Sequence, residues 1–160
     1  SFRLSAYHGI KLKMPPRIKV LEAISSISAG RVKKEDAGIY KVRSSKGDKE
    51  YTVIIKNSMA YSNDNGTIFK GYIGYPIIAA LMVEGILPKN DKIGEAIKNI
   101  PWADLNESLK SYKKVEEKVK EEAKKNGVQP EEIDKYVELV MQALKMITLK
   151  FKDMRQLGLE

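Results

Sequence analysis

Seven consecutive apolar residues, from Ile77 to Val83, constrain the fold of this chain more than any other feature of its sequence. A helix over this run is apolar on every side, so it has to be buried. Gly74-Tyr75-Pro76 precedes the run, and Gly85 and Pro88 follow it, as expected for a helix that begins near the proline and ends at the glycine. We therefore predict a buried helix near the middle of the chain.

Residues 39–73, which precede this helix, show the alternating pattern of short β-strands. Turn-forming sequences separate the strands at residues 45–48 and 63–66, and the Asn-Gly pair of the second turn tolerates the positive φ angles of a tight hairpin. Strands that follow one another without intervening helices form an antiparallel meander. The four predicted strands are Ile39–Ser45, Glu50–Lys56, Met59–Ser62 and Thr67–Ile73.

Apolar residues at helical spacing occur on both sides of the strands. A first amphipathic helix begins at Pro16, ends at Gly30 and is expected to lie on the sheet. After the buried helix, the pattern predicts helices over Asp91–Ile100, over Pro101–Gly127 and from Pro130 onward. Residues Ile147–Lys152 also alternate like a strand, but a helix is favoured because Phe151 and Met154 continue the helical stripe.

Together these elements predict an α+β fold with an N-terminal helix, a four-stranded antiparallel β-meander and then a layer of C-terminal helices. The length of 160 residues suits one domain, and no repeat or low-complexity linker divides the chain. We assign residues 16–160 to that domain. Residues 1–15 form an N-terminal extension. It is either strand-like, because apolar residues occupy most even positions, or an added leader ahead of Met14-Pro15-Pro16.

The composition excludes several kinds of site. The chain has no cysteine and one histidine, His8, so disulfides, thiolate metal sites and multi-histidine zinc centres are excluded. No apolar run approaches the roughly 18 residues that a membrane-spanning helix needs, and we expect a cytoplasmic protein. No nucleophile, calcium or phosphate-loop motif has the neighbours that its chemistry requires. The sequence therefore predicts a protein that is not an enzyme and has no cofactor.

The net positive charge of the chain lies entirely in its first half. Residues 1–76 contain 14 basic and 6 acidic residues, a net charge of +8, whereas residues 77–160 contain 15 of each. A basic face of this kind is typical of proteins that bind nucleic acid. Six of the eight tyrosines lie in the same half: Tyr7, Tyr40, Tyr51, Tyr61, Tyr72 and Tyr75.

A protein that binds single-stranded nucleic acid needs basic side chains along the backbone and aromatic rings on which the bases stack. The basic candidates are Lys41, Arg43, Lys49, Lys56 and Lys70. The aromatic candidates are Tyr40, Tyr51, Tyr61, Phe69, Tyr72 and Tyr75. Because side chains alternate along a strand, only a subset of these residues can face one ligand.

The segment from Lys70 to Pro76 combines most of these features. Gly71 and Gly74 allow a ligand to approach the backbone closely, and the segment leads into a helix N-terminus, which favours anions. Tyr72 and Tyr75 add two aromatic faces. This segment would also suit a small enzyme that acts on a phosphorylated ligand, which is the least favoured interpretation.

Three stretches resemble the archaeal ThermoDBP proteins, which are single-stranded nucleic-acid-binding proteins of hyperthermophiles. They are Lys19–Ile24, Tyr51–Ile55 and the run from Asn63 through Pro76. The resemblance covers residues 16 to about 150. It implies an antiparallel sheet and helices that form a cleft lined by aromatic and basic side chains. The residues that it assigns to the cleft are Tyr51, Tyr61, Phe69, Lys70, Tyr72, Tyr75 and Trp102.

The resemblance leaves the assembly state and the ligand open. The founding ThermoDBP type has a C-terminal zipper for dimerisation, whereas this chain has no sustained heptads after the helix that begins at Pro130. Relatives that lack the zipper assemble through other surfaces, and some prefer RNA. We therefore expect binding to single-stranded DNA or RNA with little sequence preference. The alternative is a protein-interaction module that forms homo-oligomers through its C-terminal helices.

Overall fold

The computed structural model describes residues 2–157 of the chain and confirms the predicted α+β fold. The predicted N-terminal extension starts at Ser1 and the predicted domain ends at residue 160. Ser1 and residues 158–160 lie outside the described residues. A short 3₁₀ turn, Arg155–Leu157, follows the last strand. In chain order the other elements are α1 (Ile18–Ser28), β1 (Val32–Asp36), β2 (Ile39–Arg43), β3 (Glu50–Lys56), β4 (Met59–Ser62), α2 (Asn65–Lys70), α3 (Tyr75–Val83), α4 (Asp91–Ile97), α5 (Trp102–Leu109), α6 (Tyr112–Lys125), α7 (Pro130–Lys145) and β5 (Lys150–Phe151).

Helix α3 is buried along almost its whole length, as the apolar run predicts. All residues from Tyr75 to Met82 are buried. The helix packs against strands β3 and β4 and against α1, so it lies between the sheet and the first helix. Helix α1 therefore rests mainly on α3 and α4, and the expectation that it lies directly on the sheet is wrong. Among residues 2–157, no helix has both the length and the apolar character needed to span a membrane.

The sheet contains five strands in the order β1 to β5. Strands β1 to β4 form an antiparallel meander, and β5 pairs with β4 in parallel. Tyr40 and Val42 of β2 are paired with Val53 and Tyr51 of β3, and this set of side chains faces the interior. The intervening residues of β2 face away from the core. The edge strand β1 has the sequence Val-Lys-Lys-Glu-Asp, and its charges discourage pairing with another chain.

The predicted fourth strand, Thr67–Ile73, is wrong, because most of it belongs to helix α2. The side chain of Asp64 accepts a hydrogen bond from the backbone N–H of Thr67 at 3.1 Å, which caps the helix. Residues 63–66 therefore start a helix and do not form a hairpin turn. Gly71 ends α2 in the left-handed conformation, with φ of 69°.

The predicted helix Pro101–Gly127 is broken in two. Lys110 adopts a left-handed conformation, with φ of 52°, between α5 and α6. Ser111 then caps α6, since its side chain accepts a hydrogen bond from the N–H of Lys114. Apolar residues continue at helical spacing on both sides of the break, which is why the sequence pattern conceals it.

The predicted continuation of the last helix through Phe151 is also wrong. Helix α7 ends at Lys145, and the residues near Phe151 form β5. Backbone N–H groups of Lys150 and Lys152 donate to the carbonyls of Ser58 and Ala60, so pairing with β4 decides the conformation. Alternation like that of a strand is therefore the correct interpretation of this segment.

The N-terminal segment packs on the same structure. Leu12 is buried, and its N–H donates to the carbonyl of Leu149. Lys13 donates to the carbonyl of Gly71, so the segment lies between the β5 region and the end of α2. The buried carboxylate of Asp153 accepts from the N–H of Ser5. Burial alone would raise the pKa of Asp153, but this bond and those from Arg155 lower it to about 2.

A buried chain of hydrogen bonds joins α1 to the C-terminal helices. The indole N–H of Trp102 donates to Ser25 Oγ at 2.8 Å, and Ser25 Oγ donates to the carbonyl of Ile97 at 2.9 Å. Both Ser25 and Trp102 are buried. One hydroxyl thus satisfies the Trp102 indole N–H and gives the Ile97 carbonyl a second hydrogen bond beside the one from the Ile100 N–H.

We expect Ser25→Ala to lower the free energy of unfolding by about 2 kcal/mol, because it leaves the buried indole N–H of Trp102 unpaired and removes one of the two hydrogen bonds to the Ile97 carbonyl. The matched control is the neighbouring Ser26→Ala. Ser26 is equally buried, but its hydroxyl donates only to the carbonyl of Ala23 in its own helix. We expect that variant to lose less than about 1 kcal/mol. Urea unfolding measures both values, and equal losses would contradict the proposed role of Ser25.

Candidate functional site

A cleft of about 240 Å³ opens where α1, α2, α5 and α6 meet one end of the sheet. Four tyrosines line it, and we call it the tyrosine cleft: Tyr51, Tyr72, Tyr75 and Tyr112. The N–H of Ala103 at the start of α5 donates to Ser45 Oγ in the loop between β2 and β3. This bond fixes one rim of the cleft to the sheet.

The four rings differ in how much of their surface is open. Tyr75 is buried and packs edge-to-face with Tyr51, with ring centroids 6.1 Å apart and an angle of 87°. Tyr51 and Tyr72 are half-buried. Tyr112 lies at the mouth and is 42% exposed. The inner pair therefore forms a packed wall, and Tyr72 and Tyr112 offer accessible ring surface.

The tyrosine hydroxyls inside the cleft are neutral over a wide pH range. Burial raises the pKa of Tyr51, Tyr72 and Tyr75 above the usual value for tyrosine. The negative charge of Glu22 raises the pKa of all three hydroxyls further. Their rings therefore present no negative charge to a phosphate.

The floor of the cleft is formed by the start of α2. Gly66 lies so close to the ring of Tyr72 that a Cβ atom at this position would overlap the ring. Asp64, below it, is buried and accepts hydrogen bonds from the hydroxyls of Ser62 and Thr67 at 2.5 and 2.8 Å. Burial raises the pKa of Asp64 although these donors oppose the shift. The acceptor atoms of Asp64 are thus used within the fold.

An ion pair lies in the wall that α1 contributes. Lys19 Nζ is 3.1 Å from Glu22 Oε1, and the two side chains are only 13% and 9% exposed. The same ammonium group lies 5.3 Å from the centre of the Tyr112 ring, within range of a cation–π interaction. Lys19 therefore connects the carboxylate inside the cleft to the aromatic ring at its mouth.

Two further lysines lie at the mouth and have no acidic partner among residues 2–157. Lys70 ends α2, and Lys110 separates α5 from α6; both are exposed. A depression of about 390 Å³ adjoins the tyrosine cleft there and is lined by Lys19, Lys70, Asn106, Lys110, Ser111 and Tyr112. The cleft thus opens into a basic surface.

The structure brings four of the twelve residues predicted from the sequence into the cleft. They are Tyr51, Lys70, Tyr72 and Tyr75. Three others lie in the core, with 0 to 1% of their surface exposed, and are not accessible to a ligand: Tyr40, Tyr61 and Trp102. Their burial removes them from the candidate site.

The remaining five predicted residues are outside the cleft. Lys41 donates to the Thr52 hydroxyl and Arg43 pairs with Glu50, both on the sheet face opposite to Tyr51. Phe69 is 65% exposed and lies near the guanidinium group of Arg155. The last two basic residues are exposed and do not line the cleft: Lys49 and Lys56.

Sequence reasoning missed the cleft residues that belong to helices. The predicted helix Pro101–Gly127 puts Tyr112 in its interior, whereas the break at Lys110 puts it at the start of α6. Ser111 is the signal that could have revealed the break, because serine is a preferred N-cap residue. Lys19 and Glu22 had no signal of their own, since a charged pair on a helix is usually solvated.

No group of three or more metal-ligating side chains is positioned to hold an ion in residues 2–157. The family model described as uncharacterised conserved protein UCP014422 matches residues 12–150. The chain belongs to this family. No curated protein and no solved structure matches the chain. The matched part of this UCP014422 protein contains every residue that lines the tyrosine cleft, from Lys19 to Tyr112.

The left-handed conformation of Lys110 leads to a prediction about stability. A non-glycine residue in this conformation is strained by about 1 kcal/mol or more, so we expect Lys110→Gly to raise the free energy of unfolding by about 0.5 to 1 kcal/mol. Lys110→Ala is the control, because it removes the same charge and keeps the strain. Chemical denaturation distinguishes them. An equal gain for both variants would assign the effect to charge and contradict the role of backbone strain.

Proposed function

We propose that the protein binds single-stranded DNA or RNA without catalysing a reaction, and that the bases enter the tyrosine cleft. The observation that carries this proposal is the position of four tyrosines beside Lys70 and Lys110, two lysines with no acidic partner among residues 2–157. Aromatic platforms next to basic side chains are what sequence-tolerant binding of a single strand requires.

The size of the cleft supports one base as its occupant. A volume of about 240 Å³ is below the range of roughly 300 to 1,000 Å³ that is usual for drug-sized ligands. The open surfaces of Tyr72 and Tyr112 provide faces on which a planar base stacks. Such stacking contributes about 1–3 kcal/mol per base. The adjoining depression of about 390 Å³ has room for the rest of the nucleotide.

The lysines at the mouth suit the phosphates on either side of that base. Lys70 and Lys110 are exposed, so a phosphate can approach without breaking an existing ion pair. The neutral tyrosine hydroxyls do not repel the phosphate. Neither stacking nor phosphate contact depends strongly on base identity, so we propose that most of the bound strand is held with little sequence preference.

A single strand suits the cleft better than a duplex. A base has to leave its stack to enter an enclosed cleft, and in a duplex this costs a few kcal/mol. The resemblance to ThermoDBP proteins points to the same class of ligand and stays a prediction. Because the chain has no cysteine, we also propose a cytoplasmic location.

A second candidate function is assembly of several copies through α7. The observation that favours it is the exposure of two large apolar side chains, Leu139 within α7 and Met146 directly after it. Their spacing of seven residues, about two helical turns, places them on the same side of the helix. An assembly through this surface does not involve the tyrosine cleft. Substitutions at Lys70 or Lys110 would leave such an assembly intact, so the two functions can be separated.

We expect labelled oligothymidine or oligouridine to bind in a fluorescence anisotropy titration, with duplex DNA much weaker. Affinity should fall by roughly 0.7 log unit per log unit of salt for each phosphate neutralised. Lys70→Glu should weaken binding and reduce this slope by about one such step. The matched control is Lys56→Glu, which changes the net charge equally at an exposed position outside the cleft.

The comparison of Lys70→Glu with Lys56→Glu can also contradict the proposal. Equal losses for Lys70→Glu and Lys56→Glu would mean that only net charge matters and that the cleft is not the binding site. Absence of binding to every single strand at low salt would leave assembly through α7 as the better candidate.

A further inference from the structure

We infer that the tyrosine cleft selects guanine for the base that it encloses. The inference rests on the proposed function and goes beyond it, because stacking and phosphate contacts alone would accept any base. The residue that carries it is Glu22, whose carboxylate lines the cleft together with Tyr51, Tyr72 and Tyr75.

Glu22 combines burial with an unused acceptor. Its side chain is 91% buried, and Oε1 accepts a hydrogen bond from Lys19 at 3.1 Å. Oε2 has no hydrogen-bond donor among residues 2–157. A carboxylate held in this way, with one oxygen free, is prepared to accept hydrogen bonds from a ligand in the cleft.

The second carboxylate of the cleft and its tyrosine hydroxyls do not compete for this role. The oxygens of Asp64 already accept from Ser62 and Thr67. Tyrosine hydroxyls both donate and accept, so they do not distinguish one base edge from another. Glu22 is therefore the carboxylate of the cleft that is available to distinguish one base edge from another.

The Watson–Crick edge of guanine is the one that complements this arrangement. It presents two adjacent donors, N1–H and the N2 amino group, beside the acceptor O6. A carboxylate accepts two parallel N–H bonds, and the neighbouring Lys19 ammonium group has further protons to donate to O6. Adenine, cytosine and thymine each present only one donor position on this edge. Guanine thus makes one more hydrogen bond than any of them.

The burial of Glu22 increases the difference in affinity between guanine and the other bases. A base with a single donor fills at most one of the two positions, and where that donor meets Oε1 the base covers Oε2, removes it from water and leaves it without a partner. Sites that are built to bind a polar group strongly reject analogues that lack it. We therefore expect the selectivity to combine the extra hydrogen bond of guanine with rejection of those bases that cover Oε2 without donating to it.

The test uses the unmodified protein and labelled oligothymidine that carries one altered nucleotide at its centre. Fluorescence anisotropy compares deoxyguanosine, deoxyadenosine, deoxycytidine, deoxyinosine and 7-deazadeoxyguanosine with the all-thymidine strand. We expect deoxyguanosine to raise the affinity about tenfold, the usual scale for one bidentate contact. Deoxyinosine, which lacks the N2 amino group, should lose most of this gain, whereas 7-deazadeoxyguanosine should keep it.

A pair of variants assigns the effect to Glu22. Glu22→Gln keeps the shape of the side chain but removes one acceptor, so the preference for guanine should fall to about twofold or less. The preference is measured as the ratio of the affinities of the same variant for the deoxyguanosine strand and the all-thymidine strand. Glu50→Gln, an exposed residue on the outer face of the sheet, is the matched control and should keep the full preference. Circular dichroism melting checks that both variants fold.

The outcomes separate this inference from the proposed function. Equal affinity for all the altered strands overturns guanine selection and leaves single-strand binding in place. A deoxyinosine strand that binds as tightly as the deoxyguanosine strand also overturns it, because the N2 amino group then makes no contact. If no strand binds at low salt, both proposals fail. The comparison of base analogues needs no variant, so a misfolded Glu22→Gln protein does not prevent a decision.

Discussion

The absence of a polar face on helix α3 determines how the rest of the structure is arranged. A helix that is apolar on every side cannot lie on a surface, so the sheet has to cover one side and α1 the other. This arrangement brings the first residue of α3, Tyr75, next to the start of α1 and the start of β3. The tyrosine cleft forms at that junction because α3 is buried to its N-terminal end.

Local backbone features then open the cleft. Gly66 allows the Tyr72 ring to lie against α2, and the left-handed Lys110 turns α6 so that Tyr112 stands at the mouth. Strained non-glycine residues in left-handed conformations are often found at functional sites, where the surrounding structure maintains them. Gly66 and Lys110 together place the aromatic interior of the tyrosine cleft next to its basic rim.

Sequence patterns predict the parts of this fold that depend on burial, and fail where local capping or distant pairing decides. The apolar run at Ile77–Val83 predicts the buried helix and the alternation in Glu50–Lys56 predicts a strand, and the structure has both. Thr67–Ile73 alternates like a strand, but the Asp64 cap favours a helix. Ile147–Lys152 fits two periods, and only pairing with β4 selects the strand. For the site, composition identified the tyrosine-rich basic half but could not separate an accessible Tyr72 from a buried Tyr40. It could not find Glu22 at all, because a glutamate on a helix is usually solvated.

The central claim is that a single strand places a base against the tyrosines of the cleft. Photocrosslinking of oligonucleotides that carry 5-iodouracil, followed by mass spectrometry of the crosslinked peptides, tests it most directly. We expect crosslinks at Tyr72 or Tyr112, with loss of the Tyr112 crosslink in Tyr112→Ala and no new sites elsewhere. Crosslinks confined to the outer sheet face around Lys41 and Arg43, or to α7, would contradict the account.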